Sequence, residues 1–317
     1  MSGSPGPDVR LAQTVPLGAP TAVAPGPLAR GAGAPAAVGR TAADQWDDVG
    51  HAWTAAQPEA LWRLHSDAIN RRLLARWLPP GISPRLLKTD LFDEAATGGL
   101  HDLLKERAAL VVGMDVSAVT AREARRRANG LTATRADARA LPFADAAFDV
   151  IVSNSTLDHF ETREEIVASL RELRRILKPG GRMIITLDNL ANPVVAVRNA
   201  IPFTWLKRLG IMRYFVGVTC GPRGMRRLLE ESGWRIEEMD AVLHCPRFFS
   251  IQVGEWLYRR AGAAAQRRYL DTLLKFEGLA RWPTRFITGY FVAARAVRAD
   301  APIPTVQGRI ESTGGRP

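Results

Sequence analysis

Short apolar segments alternate with segments of helical periodicity from residue 85 to about residue 299, and this alternation predicts the main architecture of the chain. In the second apolar segment, Leu110, Val111 and Val112 are unbroken by polar residues, as in a parallel strand that is buried on both faces. Strands and helices in regular succession predict an α/β fold with a doubly wound parallel sheet. The candidate strands are 85–90, 109–117, 132–138, 148–154, 182–189, 234–242 and 287–297.

Two of the helical segments carry start signals in their polar residues. Thr120 and Glu123 have the spacing of a capping box. A longer helix is predicted to begin at Thr162, where Glu165 repeats that spacing, and to end before Pro179 because proline cannot continue a helix. The apolar positions of this helix follow helical spacing: Ile166, Leu170, Leu173 and Leu177.

The pattern changes outside this alternating region and once within it. Residues 1–44 are rich in Pro, Ala and Gly without apolar periodicity, so we expect a disordered tail there and a second one at 300–317. Residues 45–84 are predicted to form an N-terminal helical region, and 85–299 a single domain. Within that domain, 190–220 is a long apolar insert dotted with Arg and Lys, which we predict to be a helical lid over the sheet.

Composition narrows the class of protein. With 317 residues, 46% of them hydrophobic, the chain can bury one sizeable core. The net charge of +11 fits binding to nucleic acid or an anionic membrane, but it also fits arginines spread over solvated helices. Basic residues are not interleaved with aromatic ones along a strand, which disfavours a single-strand-binding platform. Cys220 and Cys245 make no metal or disulfide pattern, as expected in a reducing cytoplasm. The sequence contains no run of about 18 apolar residues, so we expect no transmembrane helix.

The residues that close the strands are the first candidates for a site, because doubly wound sheets bind ligands beyond the carboxyl ends of their strands. Asp115 closes the second strand, and its carboxylate can accept hydrogen bonds from both hydroxyls of a ribose; it can equally cap the next helix at Ser117. Asp137 and Ala138 close the third strand, where a side-chain acceptor beside a backbone amide can bind the edge of adenine. The structural alternative is a turn that leads into a core strand.

The segments "ADARALPFADAAFDVIVSN" and "LRELRRILKPGGRMIITLDN" together resemble the middle of the class I S-adenosylmethionine-dependent methyltransferases. The resemblance is closest to the branch that methylates small molecules such as quinones, and it covers roughly residues 85–300. It implies a mostly parallel seven-stranded sheet with an antiparallel last strand, and S-adenosylmethionine as the cofactor. It also implies that Asp115 holds the ribose and that Asp137, with Ala138, holds adenine.

The first loop, "LLKTDLFDEAATGGL", departs from this family, which usually has an acid followed by several glycines here. Lys88 stands near the expected acid, and Asp90 begins the stretch where glycines belong. One interpretation is that Asp90, Asp93 or Glu94 holds the ammonium group of the cofactor in place of the missing backbone contacts. The other is that the loop no longer binds and the domain is a noncatalytic scaffold. The acids after the second and third strands favour binding.

The fourth strand ends in "SNSTLDHF", where the family's sheet faces both cofactor and acceptor. Asn154 can position a polar group, and His159 can act as a general base that Asp158 orients. The alternative is that Asp158 and His159 only begin the next helix. The insert contains a group of apolar residues with basic residues nearby. The group could bind an apolar acceptor, lie on a membrane surface or form a helical cap over the sheet edge. The apolar residues are Pro202, Phe203, Trp205 and Leu206, and the basic ones are Arg198, Lys207, Arg208 and Arg213.

The sequence therefore predicts a cytoplasmic S-adenosylmethionine-dependent methyltransferase that acts on a small, partly apolar acceptor. Methylation at oxygen is the first expectation, with carbon and nitrogen as alternatives. A noncatalytic small-molecule-binding domain on the same fold is one rival, and a nucleic-acid methyltransferase, suggested by the charge, is another. Contact with a membrane surface is compatible with the insert, whereas the acceptor and the oligomeric state are not specified by the residues.

Overall fold

The computed structural model describes residues 41–56, 59–209, 212 and 214–299. The tail expected at 300–317 and most of that expected at 1–44 lie outside the described part of the chain. The first helix, α1 (Ala42–Ala56), follows Thr41. Its first turn is closed by a reciprocal pair, in which the Thr41 backbone N–H donates to Asp44 Oδ2 at 2.9 Å and the Asp44 N–H donates to Thr41 Oγ1 at 3.3 Å.

The described residues contain a seven-stranded sheet. Its strands are β1 (Ser83–Lys88), β2 (Ala108–Asp115), β3 (Thr132–Arg135), β4 (Phe148–Asn154), β5 (Leu177–Asp188), β6 (Trp234–Val242) and β7 (Phe291–Arg298). The spatial order is β3-β2-β1-β4-β5-β7-β6, and β7 runs antiparallel to both of its neighbours while the other pairs are parallel. The expected doubly wound, mostly parallel sheet with an antiparallel last strand is confirmed.

Helices cover both faces of the sheet. After α1 they are α2 (Ala60–Trp77), α3 (Phe92–Ala96), α4 (His101–Lys105), α5 (Ala118–Arg127), α6 (Arg163–Ile176), α7 (Pro193–Ala200), α8 (Phe203–Arg208), α9 (Pro222–Glu231), α10 (Arg247–Arg260), α11 (Ala263–Lys275) and α12 (Arg285–Thr288). Short 3₁₀ helices lie at Leu157–His159 and Phe276–Arg281.

Two apolar layers follow from the alternation of side chains along each strand. In β1, Leu86 belongs to the layer that includes Trp77 of α2, and Leu87 belongs to the opposite layer, which includes Leu173 of α6. All four side chains are buried. The N-terminal helix α2 is therefore part of the core of the sheet domain, rather than an appendage ahead of it.

One of the two predicted helix starts is confirmed and the other is displaced. Thr162 caps α6 with the full capping box to Glu165, as the spacing predicts. The helix α5 instead begins at Ser117, whose side chain accepts the Thr120 N–H at 3.1 Å. The expected capping box from Thr120 to Glu123 is wrong, because the Ser117 hydroxyl already satisfies that amide; Glu123 pairs with Arg126 and Arg127 on the exposed side of the helix.

The insert at 190–220 contains α7 and α8 and then runs back along the end of β4. There the Gly217 N–H donates to the Asp158 carbonyl at 2.7 Å, and the Val218 N–H donates to the Phe160 carbonyl at 2.8 Å. A Cβ at Gly217 would lie 1.9 Å from the Phe160 carbonyl oxygen, so only glycine allows this close approach. Among the residues that the structure describes, no helix is both long enough and apolar enough to span a bilayer.

Candidate active site

A cavity of about 290 Å³ opens at the carboxyl ends of the parallel strands. This volume lies at the lower end of the range for small-molecule sites. The cavity brings together seven of the nine candidate residues that the sequence analysis names: Asp90, Asp93, Asp115, Asp137, Ala138, Asn154 and His159. The other two, Glu94 and Asp158, are fully buried and do not line it.

The atypical first loop is fixed by a buried ion pair. Lys88 Nζ lies 2.8 Å from Glu94 Oε2, and both side chains are almost wholly buried. Glu94 Oε1 also accepts the Leu100 N–H at 2.9 Å. Burial alone would lower the pKa of Lys88, but the neighbouring carboxylates of Glu94 and Asp90 raise it above its ordinary value. Glu94 is thus committed to holding the loop, which removes it from the residues available to a cofactor.

Two acids of this loop line the cavity, Asp90 and Asp93. The Oδ1 atom of Asp90 accepts the Phe92 N–H at 2.7 Å. Burial raises its pKa, although Lys88 opposes the shift. Asp93, in contrast, forms an ion pair with Arg63 at 2.6 Å. The Arg63 guanidinium stacks 4.2 Å from the Trp53 ring centroid and 4.4 Å from that of Phe92, so Asp93 helps to build the wall.

Bulky residues of the loop pack beside the cavity. Leu91 is fully buried against β2, and a Cβ at Gly113 would lie 2.3 Å from its Cδ2 atom. Glycine at position 113 therefore makes room for a leucine in the loop. Phe92 turns toward α1, where its ring lies 5.0 Å from that of Trp53. Of the two, Phe92 lines the cavity and Leu91 does not, and the cavity stays open beside them.

Asp115 lies at the end of β2, as predicted. Its Oδ1 accepts the Ser117 N–H at 2.8 Å and its Oδ2 accepts the Leu91 N–H at 3.2 Å. Burial and the nearby charge of Asp90 raise its pKa to about 7, and these two hydrogen bonds offset part of that shift. The two backbone hydrogen bonds fix the orientation of the carboxylate. Each of its oxygens keeps a second lone pair, which can accept a hydrogen bond from a ligand in the cavity.

Asp137 and Ala138 lie at the far end of the cavity, after β3. Arg139 grips Asp137 with an ion pair of 2.7 Å and also bonds to Glu165. Burial would raise the pKa of Asp137, but the hydrogen bonds from Arg139 lower it. With its pKa lowered, the Asp137 carboxylate is ionised and is held by Arg139, two residues further along the chain.

Asn154 presents an unsatisfied acceptor. Its Nδ2 donates to Asn70 Oδ1 of α2 at 3.2 Å, whereas its Oδ1 is buried and has no hydrogen-bond partner among the described residues. A buried polar atom without a partner is costly, so its retention at a cavity wall favours a ligand that donates to it.

His159 is oriented by the backbone of the insert, and not by Asp158 as the sequence suggests. Its Nδ1 lies 2.9 Å from the Phe215 carbonyl oxygen. Because a carbonyl can only accept, Nδ1 carries the hydrogen, and in the neutral ring Nε2 carries the lone pair. The rings of Trp46 and Tyr214 pack against it at centroid distances of 4.9 Å and 5.7 Å.

Asp158 has another task. Its Oδ2 accepts the Ser155 hydroxyl at 2.9 Å and the Asp188 N–H at 3.0 Å, which ties the end of β4 to the end of β5. Burial and the charge of Asp188 raise its pKa. Its role as the group that orients His159 is therefore corrected to that of a link between strand ends.

Several cavity residues come from segments that strand-end reasoning does not reach. Trp46, of α1, and Arg247, at the start of α10, are two of them. The Arg247 guanidinium stands 4.6 Å from the Tyr290 ring centroid, and within the described part of the chain no carboxylate forms an ion pair with it. A signal for α1 was present, because three apolar residues follow one helical stripe at spacings of three and four: Trp46, Val49 and Trp53.

Comparisons with known proteins find similarity to methyltransferases. Residues 95–185 match the family model described as a methyltransferase domain. The demethylmenaquinone methyltransferase of Thermus thermophilus is 34% identical over 142 residues, which cover 43% of this chain and 61% of that protein. The uncharacterized protein YafE of Escherichia coli is 38% identical over 109 residues, covering 32% of this chain and 48% of that protein. The chain thus spans about half to three-fifths of these relatives.

A solved structure shares the fold at lower sequence similarity. It is a chain from a complex of the Trm112 methyltransferase activator of Haloferax volcanii with a candidate methyltransferase. The superposition has a TM-score of 0.52 at 17% identity and covers 79% of this chain and 97% of that one. At this identity the likeness concerns the fold alone.

Proposed function

We propose that this chain, whose residues 95–185 match a methyltransferase-domain model, is a class I S-adenosylmethionine-dependent methyltransferase that transfers the methyl group of S-adenosylmethionine to a small, partly apolar acceptor. The observation that carries the proposal is the set of polar groups around one cavity: the carboxylates of Asp90 and Asp115, the unpartnered Oδ1 of Asn154, and the ring of His159. A positively charged, hydroxyl-bearing ligand matches this set.

Each end of the cavity suits a different part of the cofactor. Asp115 accepts hydrogen bonds from the ribose hydroxyls, and Asp137 with the Ala138 amide binds adenine at the far end. Asp90 and Asn154 bind the ammonium group, the former by charge and the latter through Oδ1. The carboxylates replace the backbone contacts that a glycine-rich loop would supply.

The acceptor enters on the side of His159 and Tyr214. When bound, S-adenosylmethionine supplies a methyl group that is already activated by its positively charged sulfur. The chain holds the acceptor in line and excludes water, and orientation of this kind supplies roughly 7–11 kcal/mol. For a hydroxyl acceptor, His159 Nε2 would take the proton that the hydroxyl loses when it is methylated. An available base favours oxygen as the methylated atom. The demethylmenaquinone relative supports a ring-bearing, apolar acceptor.

Calorimetric titration with S-adenosylhomocysteine tests the cofactor assignment. We expect Asp115→Ala to weaken binding by roughly 10- to 100-fold, as for the loss of hydrogen bonds to a charged group. Asp102→Ala, which removes an exposed acid paired with Lys105, serves as the matched control and should bind like the wild type. Since Asp115 also holds two backbone amides, circular dichroism must show that the variant is folded, and Asp115→Asn provides a milder second variant.

Two results would contradict the proposal. If the wild type gives no heat and no thermal shift, the domain is a noncatalytic scaffold whose first loop no longer binds the cofactor. If the wild type binds but both Asp115 variants bind equally well, the ribose assignment is wrong while cofactor binding stands.

A further inference from the structure

Three helices expose apolar side chains in regular stripes. The stripe on α7 has spacings of three and four when Ile201, just after the helix, is included; that on α8 has a spacing of four to Leu209, just after the helix; that on α10 has spacings of four and three. All of these side chains are between 39% and 68% exposed: Val194, Val197, Ile201, Trp205, Leu209, Phe249, Val253 and Trp256. A set of this size, with two tryptophans and a phenylalanine, exceeds the scattered exposure that is ordinary for a protein surface.

The stripes belong to adjoining elements. Arg198 near the end of α7 donates to the Tyr290 hydroxyl at 2.7 Å, and the Arg247 guanidinium at the start of α10 lies over the same ring. One arginine side chain from each of the two helices therefore reaches Tyr290. Arg247 lines the cavity, and the exposed Phe248 and Phe249 follow it directly, so the apolar surface borders the candidate active site.

The charges of these helices all have one sign, apart from a single acid. The segment from α7 to α8 contains no Asp or Glu, and α10 contains only Glu255, which accepts a hydrogen bond from Arg259 at 3.3 Å. The exposed basic residues on α8 and α10 are Lys207, Arg208, Arg259 and Arg260. The Arg260 guanidinium lies 6.0 Å from the Trp256 ring centroid, so a cation adjoins the apolar stripe directly.

We propose that α7, α8 and α10 form a docking surface for an anionic lipid bilayer. Helices that lie in a bilayer interface combine Trp, Phe and Leu with Lys and Arg, because the rings enter the headgroup region and the cations meet lipid phosphates. A face that is both apolar and predominantly basic matches this partner. The proposal concerns the surface alone and does not depend on methyl transfer.

The structure also changes which residues of the insert belong to this surface. Leu206 is buried and Phe203 packs against Phe215 at 5.5 Å, so neither reaches a membrane. Arg198 forms a buried ion pair with Asp188 at 2.6 Å. Arg213 lies outside the described residues. The contribution of α10, which carries much of the surface, has no counterpart in the sequence-based prediction.

Co-sedimentation of the full chain with vesicles tests the proposal. We expect binding to vesicles that contain phosphatidylglycerol, weak binding to phosphatidylcholine alone, and a loss of binding as salt rises. Phe249→Glu and Trp256→Glu should each abolish co-sedimentation. Arg259→Gln combined with Arg260→Gln should lower partitioning by about 25-fold, because each cation near an anionic surface contributes about 1 kcal/mol, or roughly fivefold.

Ile82→Glu is the matched control. Ile82 is 71% exposed but precedes β1, at the amino ends of the strands, whereas the cavity lies at their carboxyl ends. Its replacement should therefore leave vesicle binding unchanged. The proposal fails if the wild type ignores anionic vesicles, or if Ile82→Glu weakens binding as much as Phe249→Glu does. It also fails if sedimentation velocity shows a dimer that Phe249→Glu dissociates, because the face would then join two copies of the chain.

Discussion

His159 is the residue on which the chemical interpretation depends most. Its Nδ1 is held by the Phe215 carbonyl, and its ring packs against those of Trp46 and Tyr214. This arrangement fixes the tautomer and directs Nε2 without a carboxylate partner. A backbone carbonyl thus takes the orienting role that a carboxylate often has beside a histidine.

Replacement of His159 should separate catalysis from cofactor binding. We expect His159→Ala to lower kcat by about 10²–10⁴-fold, the usual contribution of a general base, with S-adenosylhomocysteine affinity within about twofold of the wild type. Turnover can be followed as S-adenosylhomocysteine release with a water-soluble naphthohydroquinone, and added imidazole should restore part of the lost rate. Unchanged turnover would remove His159 as the base, and a matching loss of affinity would make it a binding residue.

At the scale of the element, the ion pair between Lys88 on β1 and Glu94 on α3 replaces the flexibility of a glycine-rich turn with a fixed connection. Two charges are buried together there, and their mutual attraction offsets the cost of removing them from water. The pair holds α3 at the end of β1 and so determines where Asp90 and Phe92 stand in the cavity wall.

Removal of one partner of this pair should be costly. We expect Glu94→Gln to lower the free energy of unfolding by about 3–5 kcal/mol, because it removes the ion-pair partner of the buried Lys88 ammonium. Urea denaturation gives the measurement. Lys88→Met combined with Glu94→Gln removes both charges and should recover most of the loss. If the double variant is no more stable than Glu94→Gln, the pair contributes through shape and hydrogen bonding more than through charge.

At the scale of the whole molecule, the carboxyl edge of the sheet gathers buried carboxylates, including Asp90, Asp115 and Asp158, whose pKa values burial raises. The folded protein holds these charges together although water would solvate them better. Such a rim is a poor arrangement for stability alone. It suits a ligand that brings a positive charge and hydroxyl donors.

The free energy of unfolding should depend on pH because of these buried carboxylates. The pKa of Asp115 rises from 3.8 in the unfolded chain to about 7 in the fold, so the folded protein binds more protons between these pH values. The free energy of unfolding therefore falls as pH rises through this window and levels off above it. Compared with Asp115→Asn, which does not titrate, the wild type should lose stability from acidic pH to pH 7. A stability difference that is the same at every pH would contradict the shift.

The amino-acid sequence by itself determined the sheet, the start of α6 and the strand-end residues of the site. Apolar alternation and capping residues act over a few positions of chain, and the carboxyl ends of parallel strands meet at one edge whatever surrounds them. Asp115, Asp137 and Asn154 were predictable for that reason. The start of α5 was mispredicted because two hydroxyls, Ser117 and Thr120, compete for the cap within one turn.

Only the tertiary structure decided how the cavity is closed and how its residues are held. Trp46 of α1, Phe215 of the insert and Arg247 of α10 reach the site from parts of the chain separated by many residues, and no local pattern encodes such approaches. The same holds for Asp158, which the strand ends bury away from His159, and for the apolar stripes of α7 and α10. Periodicity shows that a helix has an apolar face, but the packing of the other elements determines whether that face is covered.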